Sequence, residues 1–179
     1  MPVLALNLTL LVILLFCLIY TFFRFVEIFL PVLFCGGMYV PSKNERVKKM
    51  VELLEIKESE KAVDLGSGDG RIVIALAKAG ALAYGYEINP FLAARSRKKI
   101  KELGLEKRAF ILQKNFWNED LSGFNIVTVY GIHHIMEKLG VKLSKELKGD
   151  ARVAFNAFYP RSLRLLKEEG GVYLYSKQK

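Results

Sequence analysis

The stretch VDLGSGDGR, Val63 to Arg71, places three alternating glycines and two aspartates behind a short apolar run. Gly66, Gly68 and Gly70 suit a tight turn and let a ligand approach the main chain closely. Asp64 stands before them, with Ser67 and Asp69 between them. Glu87 closes the next apolar run, in GYEINP, 17 residues after Gly70. A carboxylate there can accept both hydroxyls of a ribose. Ile88 beside it would lie against an adenine face. Asn115, in QKNFW, could hydrogen-bond an adenine edge, with Phe116 or Trp117 as an apolar wall.

Charge decides which nucleotide-like ligand this is. The dinucleotide fingerprint G-x-G-x-x-G sets a pyrophosphate on a helix N-terminus. This chain has G-x-G-x-G with Asp69 in the loop, and an acidic side chain there repels a phosphate. It suits a ligand that carries positive charge. S-adenosylmethionine has a sulfonium and an ammonium group, so it is the expected cofactor, with S-adenosylhomocysteine as product. NAD would use the same acid, so the loop decides and not Glu87 alone. The plainer alternative for the glycines is an ordinary strand-to-helix turn. No metal-ligand cluster, nucleophilic triad or phosphate-binding P-loop is visible.

The elements around these residues alternate. Ser42 and Glu45 form a capping-box pair before Val47, Met50, Val51 and Leu54, which recur at helical spacing. KAVDLG and LAYGYE are strands, with RIVIALAKAG a helix between them. The next helix has Asn89 as cap, Pro90 at its first position and Gly104 past its end. RAFILQ, FNIVTVYG and ARVAFNAF are further strands. The helix from His133 carries Ile135, Met136, Leu139, Leu143 and Leu147 on one face, and a hairpin turns over Glu168 to Gly171. This reads as strand-then-helix four times and a closing antiparallel pair. The expected fold is α/β, a mostly parallel doubly wound sheet of the Rossmann type. Its ligand belongs at the carboxyl ends of the strands, where strand order reverses.

The first part of the chain is different. Met1 to Phe23 has no charged side chain, and all 27 Lys and Arg residues lie from Arg24 onward. Val3 to Phe23 is interrupted only by Asn7, Thr9, Tyr20 and Thr21. About 20 apolar residues cross a hydrocarbon core, so residues 1–24 are expected to form a transmembrane helix. A cleaved signal peptide would need a basic start and a small-residue cleavage site. Residues 25–38 hold Glu27 and Pro31 and suit an interfacial or re-entrant segment. The domain itself would be 39–179. The positive-inside rule sets it on the cytoplasmic side, or the matrix side of an organelle, with the bilayer as a partner. Cys17 and Cys35 form no disulfide framework. The net charge of +9 is densest in RSRKKIK, Arg95 to Lys101. A solvated helix face, or one held to an anionic leaflet, explains it. No aromatic-rich RNA motif accompanies it, so no nucleic-acid partner is expected.

YVPS, VDLGSGDGRIVIALA, GYEINPFL and DLSGFNIVTVYGI together resemble a known family. It comprises the membrane-anchored lysine methyltransferases of the ATP synthase c subunit and the adenine nucleotide translocase, with small archaeal protein lysine methyltransferases. The resemblance covers most of Tyr39 to Phe155. It implies a seven-strand methyltransferase fold and a protein substrate with an accessible lysine, associated with a membrane. It implies that Tyr39, Pro41 and Ser42 form a lid over the cofactor. It sets Asp64, Gly66, Gly68 and Gly70 at the methionine end and Glu87 at the ribose. Tyr130, Gly131 and Ile132 would line the channel of the acceptor amine. Asn115 stands where the family has aspartate, and His133 and His134 replace a proline–glutamine pair. In-line attack of a neutral amine needs mainly positioning. Groups near Tyr130 and Gly131 would orient the nitrogen. His134 is a candidate base, since imidazole titrates near neutrality; a solvated histidine at a helix start is the plainer reading. A methyltransferase of a lipid or small amphiphile, and a non-catalytic cofactor-binding adaptor, are the alternatives.

Overall fold

The computed structural model describes residues 2–35, 42, 44–130, 133–161 and 163–176. The chain divides into two compact units, Met1–Tyr39 and Val40–Lys179. The first holds one helix, α1 (Pro2–Cys35), of 34 residues. It runs unbroken past Arg24 and Pro31, with no break at the boundary expected after residue 24. At about 1.5 Å per residue it is about 50 Å long, about 20 Å more than the hydrocarbon core of a bilayer. Its window Thr9–Val26 has a mean hydropathy of 2.4, and none of that window is buried within the chain.

The second unit is one seven-stranded sheet with helices on its faces. Its elements are α2 (Asn44–Leu54), β1 (Lys61–Leu65), α3 (Arg71–Lys78), β2 (Leu82–Glu87), α4 (Pro90–Glu102) and β3 (Ala109–Gln113). There follow β4 (Ile126–Tyr130), α5 (Met136–Glu146), β5 (Arg152–Asn156), β6 (Arg164–Glu169) and β7 (Val172–Ser176). The strand order is β3-β2-β1-β4-β5-β7-β6. β1 to β5 are parallel, and β7 inserts antiparallel between β5 and β6. The order reverses at β1 and β4, which lie side by side with Asp64 paired to Thr128.

Two expectations need correction. Strand-then-helix does not repeat four times: between β3 and β4 stands only a 3-10 turn, Phe116–Asn118. Asn115 caps that turn, its side chain accepting from the Trp117 N–H at 3.1 Å. α2 begins at Asn44, two residues after Ser42, and the Ser42 hydroxyl accepts from Asn156 Nδ2 at 3.1 Å. The Ser42 side chain thus serves a tertiary contact.

The sheet has an apolar layer on each face. Ala62, Ile126 and Ala154 pack with α2, α3 and α4; Val63, Val127, Val129, Val153 and Phe155 pack with Leu139 and Leu143 of α5. Alternation along a strand sets Asp64, Thr128 and Asn156 on the first of these faces, near the carboxyl ends. All three are buried.

Candidate active site

β1 delivers Asp64 and the glycine loop to the switch point. Gly66, Gly68 and Gly70 take φ of 80°, 55° and 76°. A side chain at these angles is strained. The Gly66 and Ser67 N–H groups donate to the Tyr86 carbonyl at 2.9 and 3.0 Å, and the Gly70 N–H donates to the Ser67 carbonyl at 2.9 Å. The loop is therefore stitched to β2 before α3 starts at Arg71. A Cβ at Gly66 would meet nothing within 4 Å, so this glycine opens onto free space.

Glu87 ends β2 with its carboxylate buried. Its Oε2 accepts from the Gly68 N–H at 2.7 Å and its Oε1 from the Asn89 N–H at 2.8 Å. Two such bonds leave lone pairs on both oxygens. Ile88 follows at 36% exposure. Asn89 caps α4 by accepting from the Phe91 and Leu92 N–H groups, as the sequence indicates. Asn115 and Phe116 stand just past β3 and are half-buried. Tyr130 ends β4, half-buried, and His134 is exposed in the 3-10 turn His133–Ile135. Tyr39, Pro41, Gly131 and Ile132 lie outside the described residues.

The two loop aspartates differ. Asp64 is 2% exposed and accepts from Thr128 Oγ1 at 2.8 Å. Asp69 takes a two-pronged pair from Arg71, Nε to Oδ1 and Nη2 to Oδ2, each 2.9 Å. Lys99 lies 3.8 Å away. The negative charge expected to face the ligand at Asp69 is largely answered by these cations. Arg71 Nη1 also donates to the Ser42 carbonyl at 2.6 Å. Ser67 turns its side chain against Gly85 of β2, where its Oγ is buried without a hydrogen-bond partner among the described residues.

Four supporting residues escaped the sequence reading. Ser96 of α4 is fully buried, with Oγ 2.8 Å from the Gly68 carbonyl and 2.9 Å from the Leu92 carbonyl. Its signal was a lone serine in the Ala93–Ile100 stripe. Thr128 was a polar interruption in IVTVY. Asn156 accepts from Arg46 Nη1 at 2.9 Å while donating to Ser42. Gly85 gives Ser67 its room. Among the described residues no group of three or more His, Cys, Asp or Glu is arranged to hold a metal ion.

An open crevice over Gly66, a buried carboxylate at the first strand and an acceptor pair at the second fit a cationic ligand with vicinal hydroxyls. The fold and this site define a Rossmann-like methyltransferase domain that takes S-adenosylmethionine. The sequence profile of the ANTKMT methyltransferase domain matches residues 64–164, and the chain belongs to that family. An archaeal protein-lysine N-methyltransferase of Saccharolobus islandicus is 35% identical over 147 residues, 76% of this chain and 91% of that protein. The human lysine N-methyltransferase of the ATP synthase c subunit is 38% identical over 115 residues, covering 64% of this chain and 49% of the relative. The chain thus spans about half the length of that relative. A crystal structure described as an RNA methyltransferase from Salinibacter ruber, with S-adenosyl-L-homocysteine, superposes with a TM-score of 0.65 at 33% identity. It covers 77% of this chain and 92% of that one.

Proposed function

We propose that this chain is a membrane-anchored protein-lysine N-methyltransferase acting on membrane-associated proteins. The observation that carries the lysine reading is the match along 91% of the archaeal protein-lysine methyltransferase. The anchor reading rests on α1. Leu10, Leu15, Phe16 and Phe23 are all more than half exposed within the chain, and such a continuous apolar surface needs an apolar surrounding.

When bound, the cofactor supplies an electrophilic methyl group on a sulfonium. Glu87 accepts the ribose hydroxyls with its remaining lone pairs, and its two backbone bonds hold it in place. Asp64 gives negative charge beside the methionine end, and the bare main chain at Gly66 admits it. Ile88 and Phe116 would flank the base, and Asn115 would lie at its edge. Tyr130, where β4 ends, is set to orient the acceptor amine. The buried bond from Asn156 and the carbonyl contact from Arg71 fix Ser42 at the start of the lid that Tyr39 and Pro41 would complete.

A second reading, an RNA acceptor, is carried by the description of the Salinibacter protein. One experiment separates the two. Membranes and RNA from cells lacking this protein receive the full-length chain and methyl-labelled S-adenosylmethionine, with Glu87→Ala as control. Proteins, lipids and RNA are then resolved. Label recovered as methyl-lysine and lost with Glu87→Ala establishes the proposal. Label confined to RNA, or to lipid, replaces it with that acceptor. No label alongside measurable cofactor binding leaves a non-catalytic adaptor.

A further inference from the structure

We infer that the joint between the loops after β4 and β5 receives the lysine-bearing segment of the substrate, with Phe158, His133 and Glu137 as its specificity-determining residues. The inference rests on the protein-lysine reading above. β4 and β5 end side by side, with Tyr130 paired to Asn156. The chain then turns sharply. Ala157 takes φ of 80°, a left-handed conformation in a residue with a Cβ. Such strain persists only where the surroundings hold it. The turn brings the Phe158 ring onto His133, with centroids 5.7 Å apart and planes at 85°. Three residues further, the Arg161 N–H donates to Glu137 Oε1 at 3.1 Å. The loop after β5 is thus tied at two points to the segment after β4, once at His133 and once at Glu137 in the first turn of α5.

The joint is nevertheless open. Phe158 is 47% exposed and Tyr159 42%, and His133 and Glu137 are exposed. The rings are held without being covered. Tyr159 lies against Tyr173, with centroids 4.4 Å apart. Aromatic rings attract a cation and pack against an alkyl stem. The Glu137 carboxylate attracts an ammonium group and repels phosphate. Held rings beside a carboxylate, one strand from the methionine end, match a lysine side chain and its neighbouring basic residues. They do not match a nucleic-acid backbone. The pair lies outside the bond-making centre, so it sets how well the acceptor docks rather than the methyl transfer itself.

The test titrates membrane protein, from cells lacking this chain, against full-length wild type, Phe158→Ala, Phe158→Tyr and Glu137→Gln. Methyl-lysine is the product measured, RNA is extracted in parallel, and cofactor affinity and thermal melting are recorded for each variant. Phe158→Ala is expected to raise the half-saturating amount of acceptor about tenfold, with the saturating rate, cofactor affinity and melting preserved. Phe158→Tyr is expected to restore it, and Glu137→Gln to raise it severalfold. Variants that stay within about twofold of a wild type active on lysine overturn the inference alone. So does a Phe158→Ala variant that loses cofactor affinity or melting in step with rate, since its role is then structural. Label in RNA that is lost with Phe158→Ala assigns the joint to nucleic acid and overturns it. A wild type that forms no methyl-lysine removes the lysine reading and the inference with it.

Discussion

Across the β1–β4 pair, Thr128 Oγ1 donates to Asp64 Oδ1 at 2.8 Å, and both residues are buried at the point where strand order reverses. Burial pushes the Asp64 carboxyl from 3.8 up to about 7; the Thr128 bond pulls the other way, while Glu87 and Asp69 push it further up. The cofactor-free protein therefore holds a site carboxylate poised near neutrality.

A cation beside Asp64 favours its ionised form. Affinity for S-adenosylmethionine is expected to tighten as pH rises from about 5.5 to 8 and to lose that slope in Asp64→Asn. Calorimetric titration across the range checks this; a flat wild-type profile would sink it. The free protein should behave oppositely. Its folded-state value near 7 lies above the unfolded 3.8, so the folded state binds the extra proton between them. Stability should fall as pH rises through that window and level off above it.

Thr128→Val removes the one contact among these that lowers the Asp64 value. The midpoint of the binding profile should move to higher pH, and stability should drop by about 1 kcal/mol. Denaturant unfolding and the same titration give both numbers. An unmoved midpoint would show that Thr128 does not govern the carboxylate.

Gly85 is the sheet position that the glycine loop cannot spare. An added Cβ would sit 2.6 Å from Ser67 Oγ, 2.7 Å from Ser67 Cβ and 2.8 Å from Ile111 Cδ1. Gly85→Ala should cost about 1–3 kcal/mol and weaken cofactor binding by displacing the loop. Adding Ser67→Gly should recover part of both losses. Recovery of neither would place the damage at Ile111.

Burial raises the Asp69 value, but the Arg71 hydrogen bonds and the charges of Arg71 and Lys99 outweigh it and hold the carboxyl below its usual range. Its folded value lies under its unfolded one, so its stabilisation is present above the usual carboxylate range and is lost as pH falls. Arg71→Met should shrink the loss of stability between about pH 6 and 3 relative to wild type. Urea unfolding at stepped pH reads the difference. An unchanged acid limb would mean that Lys99 alone answers Asp69.

The sequence carried the local signals well and the long-range ones poorly. Asn89 and Pro90 act within one turn of themselves, and the glycine spacing declares its own backbone, so both could be read in one dimension. The spacing pairs Ser42 with Glu45 and offers Asn115 an adenine edge, and the fold gives both side chains other bonds. Ser42 answers Asn156, far along the chain, and Asn115 caps a turn through the Trp117 N–H. Thr128 and Asn156 each stand alone among apolar neighbours and look like tolerated interruptions, and Ser96 is hidden in a basic run that looks like a solvated face. Only the fold shows that they hold the glycine loop, Asp64 and Ser42. The continuous course of α1 through Pro31 was likewise not evident from a run that held a glutamate and a proline.

The place of β7 has a consequence for how the molecule is made. β7 follows every other strand in the chain, yet it lies inside the sheet as the sole strand neighbour of β6 and the second neighbour of β5. Its turn at Gly171 also lies against the Arg46 guanidinium, which holds Asn156. A ribosome releases α1 long before residues 172–176. Under the anchor proposal, the apolar helix would be ready for the lipid phase while the catalytic sheet is still missing an inner strand, and insertion would precede the completed enzyme.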